Sequence, residues 1–76
     1  MDIKFFNASW CGPCKQMKPH IDELISEGYN IQTIDIDEQP VLAEQYNVRG
    51  VPTLVVNGNS LVGYRDKNQI KEAVGG

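Results

Sequence analysis

The two cysteines of the chain stand two residues apart in "SWCGPCK", Ser9 to Lys15. Such a pair can be half of a metal site, a structural disulfide or a redox dithiol. A closed zinc site needs four ligands, and the chain offers two cysteines and one histidine, His20. At about 100° per residue, His20 projects from the opposite side of a helix that starts near the cysteines. A solvated surface setting is therefore expected for His20, and no metal site. A purely structural disulfide would close too short a loop to stabilise much. The dithiol reading uses the spacing directly. A helix N-terminus carries partial positive charge and unpaired N–H groups. Both favour a thiolate at Cys11, which is expected to be the exposed attacking sulfur. Cys14, one turn later, is expected to be shielded. It is near enough to donate a hydrogen bond to that thiolate and to attack a mixed disulfide formed at Cys11. Pro13 stiffens the turn, and Gly12 keeps the approach to the sulfur open.

The surrounding elements must place this motif at the end of a strand. Residues 2–6, "DIKFF", read as a short buried strand and "NASW" as the loop after it. Proline suits the first helical position, so a helix is expected from near Pro13. Met17, Ile21, Leu24 and Ile25 give it one apolar stripe. Pro19 should kink it, and Gly28 should end it in a C-cap position. Residues 30–37, "NIQTIDID", read as a second strand. Strand, helix, strand in that order implies parallel pairing. A short helix is expected at 40–47 and a third strand at 53–56. "NGNS" signals a hairpin leading to an antiparallel strand at 61–63. A last helix is expected at 66–74, with Asp66 as N-cap and Ile70 and Val74 facing inward. The order βαβαββα makes an α/β domain with a mixed four-stranded sheet flanked by three helices.

The 76 residues fit a single domain, 1–76. Composition is that of a globular chain, 41% hydrophobic and 22% charged. A net charge of −3 argues against nonspecific nucleic-acid or membrane binding. The start, "MDIKFF", has no basic segment leading into a long apolar run, and no stretch approaches the roughly 20 apolar residues of a membrane span. A cytoplasmic protein, in a compartment that keeps thiols reduced, is the expectation.

"WCGPCK", the following "KP" at Lys18–Pro19, and "RGVPT" at Arg49–Thr53 together resemble the thioredoxin family. "IDIDEQP", "YNVRGVPT" and "LVGY" extend the resemblance over nearly the whole chain. It implies Cys11 as nucleophile, Cys14 as resolving thiol and a cis Val51–Pro52 bond facing them. It implies an apolar docking surface at Trp10, Gly12, Pro13, Ile36, Gly50, Val51, Val62 and Gly63. It implies a monomeric protein-disulfide reductase without a bound cofactor. Its partners would be disulfide-containing protein substrates and a thioredoxin-reductase-like flavoenzyme that recycles it. Asn47 stands where thioredoxins often have glycine, and both residues tolerate positive φ.

The departures matter too. The resemblance implies that the N-terminal strand and helix of full-length thioredoxins are missing, leaving a miniature or glutaredoxin-sized chain. Thioredoxins hold a buried aspartate six residues before the first cysteine, and here that position is Phe5. The lysine that pairs with it aligns with Thr33. Losing both avoids an unpaired buried charge, and leaves Cys14 to be deprotonated by water or within the cysteine pair. Asp35 reads as a solvated strand-end carboxylate, with proton carrier as the alternative. Glutaredoxins usually have a lysine where this chain has Ala8, and a double glycine where it has Gly63 alone. Glutathione-dependent reduction is the runner-up, kept open by Lys15 and Lys18, which are themselves expected to be solvated helix-face lysines. A redox-independent structural subunit using the apolar face is a third reading.

Overall fold

A computed structural model describes residues 2–75. Met1 and Gly76, the two ends of the expected domain, lie outside the described residues. The elements run β1 (Ile3–Asn7), α1 (Gly12–Ser26), β2 (Ile31–Asp35), α2 (Pro40–Gln45), β3 (Thr53–Val56), β4 (Asn59–Val62) and α3 (Lys67–Ala73). The sheet order is β2-β1-β3-β4. β1 pairs parallel with β2 and antiparallel with β3, and β3 pairs antiparallel with β4. This is the expected α/β arrangement with a mixed four-stranded sheet, β1 and β3 at the centre.

Alternation along β1 assigns its residues to two cores. Ile3 and Phe5 face Met17, Ile21 and Leu24 of α1, together with Ile70 of α3 and Val74 just beyond it. Phe6 faces the opposite way, against Ile34, Val55 and Ala43 of α2. Both faces of the central strands are therefore covered, and β3 is buried along its whole length. Fully burying a side chain such as Phe5 or Leu24 is worth about 1.5–3 kcal/mol.

Several boundaries differ from expectation. β2 ends at Asp35, not residue 37, because Ile36–Glu38 turn away around the Asp35 side chain. β4 starts at Asn59, since the two-residue turn uses Asn57 and Gly58 at φ 50° and 87°. That frees Asn59 and Ser60 to pair with Val56 and Val55. Ile25 is 40% exposed and leaves the inner stripe to Met17, Ile21 and Leu24. α1 continues through Pro19, which lies on its exposed side. Gly28, at φ 104°, follows the C-cap Glu27 and takes the left-handed geometry that glycine adopts at low cost. α3 carries a complete capping box. Asp66 accepts from the Gln69 N–H at 2.9 Å, and the Gln69 side chain accepts from the Asp66 N–H at 2.9 Å.

Candidate active site

Cys11 is the N-cap of α1, in extended geometry, at the point where the chain leaves β1. Its carbonyl accepts from the Lys15 N–H at 3.2 Å, and its own N–H donates to the Ala8 carbonyl at 3.2 Å. Cys14 is the third helical residue, so its side chain returns toward the cap. The two are joined by a disulfide with a Cα–Cα distance of 5.2 Å. The Cys14 N–H donates to Cys11 Sγ at 3.1 Å. A helix N-terminal N–H thus already points at the sulfur that would carry negative charge after reduction.

Both cysteines are buried, Cys11 at 4% and Cys14 at 2% exposure. The expectation of an exposed Cys11 is corrected for this disulfide state. Each sulfur covers the other, and Ala8, Ile36 and Val51 pack around them. Val51–Pro52 is a cis peptide bond, with Pro52 buried and Val51 half-buried beside the cysteines. Thr53 donates to the Gly50 carbonyl at 2.6 Å, and Pro52 accepts from the Gly63 N–H at 2.9 Å. The first bond closes the proline loop on itself, and the second ties it to the end of β4.

The remaining expected residues differ in exposure. Trp10 and Val62 are each 66% exposed, which is unusual for large apolar side chains. Gly12, Pro13 and Gly50 are exposed, while Ile36 and Gly63 are half-buried. Gly63 has φ 106°, where a side chain would be strained. Trp10 Nε1 donates to Asp37 Oδ2 at 2.8 Å. Asp37 escaped the sequence reading; its signal was an acidic turn after β2 and a tryptophan N–H in need of an acceptor.

Other positions lie apart from the sulfurs. Phe5 is fully buried in the core below the motif. Thr33 pairs with it in register but is exposed. His20 is not simply solvated: it is half-buried, its Nε2 lies 3.1 Å from the Tyr64 hydroxyl, and its Nδ1 is buried. Its ring meets the Tyr64 ring edge-on at 6.2 Å, which no spacing rule could show. Asp35 is half-buried and accepts from the Asp37 and Glu38 N–H groups at 2.8 and 3.4 Å. Among the described residues, no group of three His, Cys, Asp or Glu side chains is placed to hold a metal ion, and no helix is long and apolar enough to cross a membrane.

A Cys-x-x-Cys disulfide at a helix start, on the strand-end edge of an α/β sheet, does two-electron thiol–disulfide chemistry. Comparison with known proteins agrees. The sequence profile of the Thioredoxin family matches residues 3–75. A thioredoxin of Chlamydia trachomatis is 39% identical over 75 residues, covering 96% of this chain and 66% of that protein. One of Staphylococcus saprophyticus is 36% identical over 77 residues, covering 91% and 74%. Among solved structures, a mutant thioredoxin from Halobacterium salinarum superposes with a TM-score of 0.84 at 38% identity, covering 95% of this chain and 69% of that one. The reduced thioredoxin pre-protein of Schistosoma mansoni gives 0.82 at 29% identity, covering 96% and 74%. The chain belongs to the thioredoxin family. The thiol–disulfide oxidoreductase chemistry of that family has its two sulfurs here in Cys11 and Cys14. The chain spans about two thirds to three quarters of the length of these relatives.

Proposed function

We propose that this protein reduces disulfides in other proteins. The observation that carries this reading is the Cys11–Cys14 disulfide at the N-cap of α1, preceded in the chain by the exposed Trp10. Cys11 attacks a substrate disulfide as the thiolate, aided by the Cys14 N–H. A mixed disulfide forms at Cys11, and one substrate sulfur leaves. Cys14 then attacks Cys11 Sγ, closes the disulfide and releases the second substrate thiol. Trp10, Gly12, Pro13, Ile36, Gly50, Val51, Val62 and Gly63 form the docking surface, with Pro52 in the loop against the sulfurs. Apolar area at the centre of a contact supplies affinity without demanding a particular substrate sequence. A thioredoxin-reductase-like flavoenzyme returns the pair to the dithiol, and the protein works as a monomer in the cytoplasm.

Two measurements test this. In an insulin-reduction assay with dithiothreitol as donor, the parent accelerates precipitation of the insulin chains, and the Cys11→Ser, Cys14→Ser double variant does not. Equal activity in the two proteins would overturn the reading. Limiting iodoacetamide on the reduced protein labels Cys11 first; preferential labelling of Cys14 reverses the assigned roles.

A further inference from the structure

The two sulfurs differ in what lies beside them. A cavity of 180 Å³ opens between the C-terminal ends of β1 and β2 and the start of α1. Cys14 lines it and Cys11 does not. Asp35 lines it from β2, and Lys15 and Lys18 line it from α1. Asp35 is the one carboxylate on its wall, held there by the Asp37 and Glu38 N–H groups. Away from the cavity, Cys11 and Cys14 share one buried cluster with Ala8, with Ile36 and Val51 packed against it; the last three carry no titratable group. The core below the motif holds Phe5.

This matters because Cys14 must lose a proton to resolve the mixed disulfide. Burial favours the neutral thiol, so the step needs a proton acceptor. We propose that Asp35 is that acceptor, working through water held in the cavity. The proposal rests on the reading of Cys14 as the resolving thiol. A water molecule takes about 30 Å³ of liquid volume, so 180 Å³ holds several. In the step, the Cys14 S–H bond breaks and the proton passes through water to Asp35. The Cys14 electron pair forms the bond to Cys11 Sγ. The bond between Cys11 and the substrate sulfur breaks, and that sulfur leaves as a thiolate. Asp35 then gives the proton to solvent, and the thiolate takes one up. Two protein thiols are oxidised and one substrate disulfide is reduced. When a reductase reopens the disulfide, the same route delivers a proton to Cys14.

The other charges near Asp35 do not take its place. Lysine side chains are hydrogen-bond donors without an acceptor, and Lys18 lies 3.6 Å from Asp22. Asp37 is occupied by Trp10, and Glu38 is exposed on the turn.

The test follows two steps in one trace. Excess Ellman's reagent reacts with the reduced protein. Attack by Cys11 releases one aromatic thiolate, and resolution by Cys14 releases a second in a phase independent of reagent concentration. Asp35→Asn keeps an oxygen for the Asp37 N–H and should leave the first phase unchanged. It should slow the second about tenfold or more at acidic to neutral pH, and Asp35→Glu should recover part of the rate. Electrostatics alone predict the reverse, because removing a negative charge beside Cys14 favours its thiolate and speeds the second phase. Asp35→Ala should be slow and should regain rate in proportion to added acetate. A second phase at or above the parent rate in Asp35→Asn, or no acetate dependence in Asp35→Ala, overturns the proposal. If Cys14→Ser retains the second phase, the assignment of Cys14 itself fails, which is a separate result.

Discussion

Phe5 and Trp10 lie at opposite extremes of exposure, 0% and 66%. Phe5 is fully buried, and its in-register neighbour Thr33 offers no charge. A carboxylate introduced at Phe5 would be desolvated without a cation. Phe5→Asp is therefore expected to lose about 3–5 kcal/mol of stability, read as a lower urea midpoint at neutral pH. A variant as stable as the parent would mean that a cation reaches this part of the core. Trp10 is held by Asp37, not by packing. A hydrogen bond of this kind contributes about 0.5–1.5 kcal/mol. Asp37→Ala should thus raise KM for a protein disulfide by about two- to tenfold, leaving kcat close to the parent value. Small disulfides that do not need the indole should react as before. An unchanged KM for the protein substrate would remove Trp10 from the docking surface.

At the scale of elements, the helix ends hold polar contacts away from the cysteine site. The Asp66 capping box fixes the start of α3, and Asp66→Ala should cost about 1 kcal/mol, again measured by urea unfolding. Near it, Lys67 pairs with Glu27 and lies 3.8 Å from Glu23, while Lys71 lies 3.6 Å from Glu27. The hydrogen bond from Lys67 holds the Glu27 carboxyl below its usual range, and the same bond raises Lys67. The signs give two windows. The Glu27 contribution is complete above about pH 4.3, its ordinary value, and is lost as pH falls through the lowered folded value. The Lys67 contribution is complete below about pH 10.4 and is lost as pH rises through the raised value. Lys67→Met should flatten both limbs of the stability profile, whereas a profile parallel to the parent would show the pair to be inert. The sequence made some of this legible. Asp66, Gly28 and the Asn57–Gly58 turn are local signals, because the residue itself satisfies the backbone it sits on. The Lys67–Glu27 contact, the His20–Tyr64 pair and the cavity beside Cys14 join residues far apart in the chain. No local pattern encodes them. Ile25 followed the helical period yet is 40% exposed.

The whole molecule is small, with a radius of gyration of 11.2 Å, and a chain of this size has little stability to spare. The disulfide closes a loop of four residues, which by loop-closure entropy contributes at most about 2 kcal/mol. Reduction should lower the urea midpoint modestly while the far-ultraviolet circular dichroism keeps its folded shape. Unfolding on reduction would give the Cys11–Cys14 bond a structural burden that its short loop does not suggest. The fold class, the element order and the two sulfurs were readable from the chain because motif and periodicity agree there. The closed state of Cys11 was not, since its burial is made by Ile36 and Val51 arriving from other elements. One feature of the sheet reaches beyond catalysis. β1 runs from the Asn57–Gly58 turn toward the cysteines, and the turn is tied to the chain start by the Asn57 N–H and the Asp2 carbonyl at 2.8 Å. Reactive sulfurs and hairpin tip therefore occupy opposite poles of a body measuring 29 × 24 × 18 Å. The tip is exposed, and such loop tips tolerate insertions. A tether grafted after Gly58 would anchor the protein to a bead or an electrode with its dithiol facing the solution.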